Sequence, residues 1–87
     1  MTVGVTDNPV VVSGLFVVEN SKGELLTLYI VKHTAYKLSK PYEIKEGRRL
    51  SGGRVEMSSR GFFKTMLEAK DKLLELKTTV GREWLEH

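Results

Sequence analysis

The stretch Glu24-Leu25-Leu26-Thr27-Leu28-Tyr29-Ile30-Val31-Lys32-His33 decides the fold. Its β-branched and aromatic content predicts a strand, and alternation puts Leu26, Leu28, Ile30 and Lys32 on one face and Leu25, Thr27, Tyr29, Val31 and His33 on the other. Both faces are partly apolar. A strand of that kind sits inside a sheet, with its second face against side chains, a ligand or another subunit.

Working outward, Glu19-Asn20-Ser21-Lys22-Gly23 supplies turn formers and a glycine able to take positive φ, so a hairpin joins this strand to the one before it. That earlier strand is expected over Val10 to Val18, with a bulge or bend at Ser13-Gly14. Met1 to Pro9 reads as a loosely pinned arm, ending at the breaker Asn8-Pro9. On the other side, Thr34 to Lys40 is a polar connection containing Tyr36. Pro41 opens a third strand, Tyr42 to Glu46. Gly47-Arg48-Arg49-Leu50-Ser51-Gly52-Gly53 reads as a glycine-rich turn, and Arg54 to Met57 as a fourth strand with Val55 and Met57 on one face.

Phe62, Met66, Ala69, Leu73 and Leu76 recur at helical spacing, flanked by Phe63, Leu67 and Leu74. A helix is predicted from about Ser59 to Lys77, capped by Ser58 or Ser59, with Gly81 as a break before Trp84. If both phenylalanines were buried in it, so wide an apolar stripe would suggest a dimer interface. The expectation is an α+β domain over residues 10–84, a four-stranded antiparallel sheet followed by one C-terminal amphipathic helix. Leu85-Glu86-His87 reads as the start of a vector-derived tag, leaving His33 as the native histidine.

Eighty-seven residues support one core. The chain has no cysteine, which removes disulfides and most zinc chemistry. No stretch approaches the roughly 18 apolar residues of a membrane span, and no signal peptide is read, so a cytoplasmic location is expected. The formal charge of +3 conceals a polarised distribution: residues 32–64 hold nine basic side chains against Glu43, Glu46 and Glu56, a net +6, while both flanking segments are mildly acidic. Such a segment attracts phosphate backbones; its bland reading is a solvated face.

Within it, Arg48, Arg49 and Arg54 around the glycine-rich turn have the fork geometry that binds phosphate, although the P-loop pattern is absent. Phe16, Tyr29, Tyr36 and Tyr42 lie on or near strands between the basic residues. Aromatic rings exposed on a sheet stack on unpaired bases, whereas buried ones are merely core. Tyr29 and Tyr36 are the ones expected to be exposed. His33 has no neighbour in the chain of metal-binding or triad type, and no serine or threonine stands with a His and a carboxylate, so neither enzyme, metal nor cofactor is expected.

The segments Glu43-Ile44-Lys45-Glu46-Gly47-Arg48-Arg49, Arg54-Val55-Glu56-Met57-Ser58 and Phe62 to Leu76 resemble the single-stranded-DNA-binding transcriptional coactivators of the positive cofactor four type and the related Whirly folds. The hairpin Val17 to Leu25 is similar to that of purine-rich-element-binding proteins. Together these cover about residues 13–77, with Leu50-Ser51-Gly52-Gly53 inserted relative to the coactivator pattern. The resemblance implies a homodimer packed through its helices, binding single-stranded DNA on a β surface. Carried onto this chain, the contacts fall on Lys45, Arg48, Arg49 and Arg54, with Lys32 and Tyr29 beside them. The leading expectation is single-stranded DNA or RNA binding with low sequence specificity, in transcription or replication, through Lys32, Lys45, Arg48, Arg49, Arg54, Tyr29, Tyr36 and Tyr42. The alternative is a protein-interaction module or accessory regulator without nucleic acid. A duplex reader is third, because the helix is nearly neutral and no helix-turn-helix precedes it.

Overall fold

The computed structural model describes residues 8–34 and 39–87. Its elements are β1 (Val10–Val11), β2 (Phe16–Glu19), β3 (Leu25–Lys32), β4 (Tyr42–Arg49), β5 (Val55–Phe63) and α1 (Met66–Leu85). All strands are antiparallel, in the order β1-β3-β4-β5, with β2 also on β3. The sheet is therefore five-stranded and not four-stranded.

The extra strand arises where one strand was expected over Val10 to Val18. β1 and β2 lie end to end along the same edge of β3, Val10 opposite Lys32 and Phe16 opposite Leu28. Between them Ser13 turns inward, and its Oγ accepts the Ile30 amide at 2.8 Å while Val12 donates to the Ile30 carbonyl at 2.9 Å. A hydroxyl replaces a ladder carbonyl, so the backbone can bend without orphaning β3. The turn after β2 is as predicted: Asn20 Oδ1 accepts from the amides of Lys22 and Glu24, and Gly23 has φ 77°.

The β4–β5 hairpin is longer and its turn shorter than the glycines suggest. Gly47, Arg48 and Arg49 remain in the ladder opposite Met57, Glu56 and Val55, and the reversal is confined to Leu50–Arg54, with Gly52 and Gly53 at positive φ. β5 then runs past Met57 to Phe63. Ser58 and Ser59 pair with Glu46 and Lys45, so neither caps a helix, and Phe62 and Phe63 pair with Glu43 and Tyr42. The bulge near Gly61, φ 119°, shifts the alternation of β5 by one residue, so that Phe63 turns to the core and Phe62 to the other face. The wide helical stripe that included both of them does not exist.

Thr65 is the N-cap, its Oγ1 accepting the Glu68 amide at 3.2 Å. The helix does not stop at Lys77, nor break at Gly81. Its inner face is Ala69, Leu73, Leu76, Gly81 and Trp84, while Leu67 and Leu74 point to solvent. α1 lies across β2, β3, β4 and β5 over a core of Leu28, Ile30, Ile44, Ala69, Leu73 and Leu76, edged by Phe16, Tyr42, Phe63, Met66 and Val80. Gly81 lies where Phe16 crosses the helix: a Cβ would lie 3.2 Å from Phe16 Cε2, so the ring would have to give by a few tenths of an ångström. Three residues on, the Trp84 Nε1 donates to the Glu24 carbonyl at 3.0 Å, which fixes the last turn against the start of β3.

Two stability changes follow, both read from urea midpoints. Gly81→Val drives methyl groups into the Phe16 ring and is expected to destabilise the domain by about 1–3 kcal/mol. Thr65→Ala removes the cap at a cost of about 1 kcal/mol, whereas Ser58→Ala leaves helix stability unchanged.

Candidate nucleic-acid interface

Because α1 covers the face carrying Leu26, Leu28 and Ile30, alternation leaves Leu25, Thr27, Tyr29 and Val31 on the other side. The ladder registers align this face in rows. Leu25, Arg49 and Val55 form one, Thr27, Gly47 and Met57 the next, then Tyr29, Lys45 and Ser59, then Val31, Glu43 and Phe62. Val17 of β2 extends the second row beside Thr27. Val17, Val55, Met57 and Phe62 are all half-exposed or more, so this face is largely apolar and open along β2 and β5, while Val31 and Glu43 in its last row are buried.

A shallow hollow of about 300 Å³ occupies its centre, lined by Leu25, Thr27, Tyr29, Gly47, Arg48, Arg49, Val55 and Met57. Gly47 forms the floor, where a Cβ would lie 3.1 Å from Met57 Sδ. Tyr29 stands directly across from Lys45, and Arg49 is exposed at the rim. The hollow therefore has a half-buried Tyr29 at one end and Arg49 at the other, while Lys45, 3.6 Å from Glu43, stands beside Tyr29 outside the lining.

The structure separates the other sequence-predicted residues from this group. Tyr42 is on the helix side, packed on the core under Lys32, whose Nζ lies 5.6 Å from the ring centroid. Arg48 is also on the helix side, its Nε donating to Glu46 Oε2 at 2.7 Å and its guanidinium 5.5 Å from the Trp84 ring centroid. Arg54, at the end of the turn, donates to Glu56 at 2.9 Å. Tyr36 lies outside the described residues. Glu43, Glu46 and Glu56 each hold cations of the basic segment, so part of its +6 is neutralised within the fold. Met57, Val55, Leu25 and Gly47 were missed as site residues, although the Arg54–Met57 alternation already placed Val55 and Met57 on one face.

His33 has a partner that its chain neighbours did not disclose. Its Nε2 sits 2.7 Å from Glu43 Oε1, and its ring is 5.7 Å from that of Phe62. Burial alone would raise the Glu43 pKa, but hydrogen bonds from Ser59 and His33 and the charges of Lys45 and His33 outweigh it and hold the carboxyl below the ordinary 4.5. The carboxylate stands between hydroxyl and imidazole here. In a hydrolytic triad the imidazole stands in the middle, taking the hydroxyl proton, so this trio does not activate Ser59 in that way. Glu24 is lowered too, chiefly by the Asn20 amide and then by the Ser51 backbone, against an opposing effect of burial.

Among the described residues no group of three or more His, Cys, Asp and Glu side chains gathers as a metal site, and no helix is long and apolar enough to cross a membrane. Comparison with protein-family models, with curated proteins and with solved structures finds no match for the chain.

Both lowered carboxyls bind protons less readily folded than unfolded. Their contribution is present above the unfolded value near 4.5 and is lost as the pH falls through the lower folded values. Urea midpoints should therefore decline below about pH 4.5, and Glu43→Gln should flatten that decline while lowering stability at neutral pH.

Proposed function

We propose that the open sheet face binds single-stranded nucleic acid, DNA or RNA, with low sequence specificity and without catalysis, in the service of transcription or replication. The observation that supports this most is that Tyr29 and Arg49 line one apolar hollow, with Lys45 opposite Tyr29 in the ladder. Unpaired bases offer flat apolar faces that stack on Tyr29 and pack on Met57 and Val55, and the two cations neutralise adjacent phosphates. Duplex DNA offers no such faces to a flat sheet. Binding is therefore an exchange of water on an apolar surface plus counterion release, and it weakens with salt.

The resemblance to coactivator-type proteins agrees with this reading and adds a homodimer to it. The site assignment is narrower than the basic segment: Tyr29, Lys45 and Arg49 form the proposed contact surface, and Arg54 is held by Glu56 outside it. Lys32 and Tyr42 lie on the helix side, and Arg48, bound to Glu46 there, also lines the hollow.

A second reading has its own observation. Val17, Val55, Met57 and Phe62 expose apolar side chains on this one face, as a protein-docking surface would. Oligonucleotide binding separates the two. With a labelled single strand, Tyr29→Ala should weaken binding by about 1–3 kcal/mol for the base it stacks. Arg49→Ala should weaken it and reduce the slope of log affinity against log salt by roughly one contact. Absence of binding to single strand, duplex and RNA at low salt would defeat this proposal and leave the protein-docking reading.

A further inference from the structure

On the helix side of β4, Glu46 is 2% exposed, and two guanidinium groups close over it. Arg48 donates through Nε to Oε2 at 2.7 Å. Arg60, from β5, brings Nε and Nη2 each to 2.7 Å from Oε1. One guanidinium neutralises one carboxylate, so the second leaves an excess positive charge held in place. Arg48 is further fixed by the Trp84 ring beneath it.

Beside this pair lies a cleft of about 640 Å³ lined by Glu46, Arg48, Glu56, Met57, Ser58 and Arg60, with no residue of α1 in its wall. Glu56 stands opposite Arg48 in the ladder, but its carboxylate is engaged by Arg54 at 2.9 Å. Burying a carboxylate with two arginines is a poor way merely to stabilise a sheet, since apolar side chains of similar volume do it as well or better. What the arrangement provides is orientation. Glu46 takes the Arg48 Nε and the Arg60 Nε and Nη2, so the Arg48 η-amino groups and the Arg60 Nη1 remain for a ligand in a cleft whose wall also holds Ser58, a donor set of the kind that binds the oxygens of a tetrahedral anion.

We propose that this cleft is a binding site for a phosphate-class oxyanion, held by Arg48 and Arg60 with Ser58, and oriented from behind by Glu46. The phosphate comes either from a free phosphate or small phosphate ester, or from the backbone of a strand that continues past β5. Only the second source rests on the nucleic-acid reading above. The cleft shares Arg48 and Met57 with the open-face hollow but not Arg60 or Ser58, so a response at Arg60 is the one that separates the two sites.

The test is a titration of isotope-labelled protein, following the Nε–H signals of Arg48 and Arg60 and the amides of Leu25, Thr27 and Gly47. Inorganic phosphate is one ligand and a short oligothymidylate the other, with chloride at matched ionic strength as control. Saturable shifts at the arginines with phosphate, absent with chloride, support the site and a free source. Arginine shifts with the oligonucleotide alone support it with the strand as source. Open-face shifts without arginine shifts overturn the cleft proposal and leave the nucleic-acid reading standing; arginine shifts with phosphate and no response to the oligonucleotide do the reverse. No saturable shift with either ligand overturns both. Arg48→Lys keeps the charge and loses the fork, and should weaken phosphate binding about tenfold. Ser58→Ala leaves the Glu46 cage intact and should weaken it severalfold, so the site stays testable if the arginine variant fails to fold. Unchanged affinity in a folded Arg48→Lys protein would also overturn the proposal.

Discussion

Nearly every element of this domain is built on β3. Its backbone is hydrogen-bonded on one edge to β1 and β2 in succession and on the other to β4 along its whole length. Leu26, Leu28 and Ile30 are fully buried on the side where α1 packs. A strand with neither a free edge nor a free inner face cannot slip, because a shift of one residue would turn those three side chains out and Thr27 and Tyr29 in. The register of β3 thus determines that Tyr29 stands opposite Lys45 and that Glu46 enters the helix side.

Glu24 ties the ends of the structure to that strand. Asn20 Nδ2 donates to its Oε1 at 3.1 Å, and the Ser51 amide and hydroxyl donate to its Oε2 at 3.2 and 3.3 Å. Its carbonyl takes the Trp84 indole. One residue therefore links the β2–β3 turn, the β4–β5 turn and the last turn of the helix. This end of the sheet also holds Arg49 and Val55, so the rim of the open face is set by hydrogen bonds remote from it.

The two faces of β4 divide the basic segment between different tasks. Lys45 and Arg49 face the open surface, whereas Arg48 faces Glu46 and Trp84. Adjacent arginines thus have opposite surroundings, one at an exposed apolar hollow and one over a buried carboxylate. A charge count along the chain sees only their sum.

The alternation of Glu24 to His33, the Asn20–Gly23 turn and the spacing of Ala69, Leu73 and Leu76 were enough to establish an antiparallel sheet with one covering helix, since those patterns are local. Thr65-Met66-Leu67-Glu68 also carried a capping-box signal for the true start of the helix. The expected start at Ser59 passed over it, and the helical spacing of Phe62 and Phe63 with Met66 is an accident of a strand leading almost directly into a helix. The split between β1 and β2, the persistence of the helix through Gly81, and the pairing of His33 with Glu43 and of Arg60 with Glu46 were decided only by tertiary structure. Each depends on a partner distant in the chain: the Ile30 backbone for Ser13, the Phe16 ring for Gly81, and side chains of neighbouring strands for His33 and Arg60. Periodicity records which face a residue needs, and it holds no information about which residue will be waiting there.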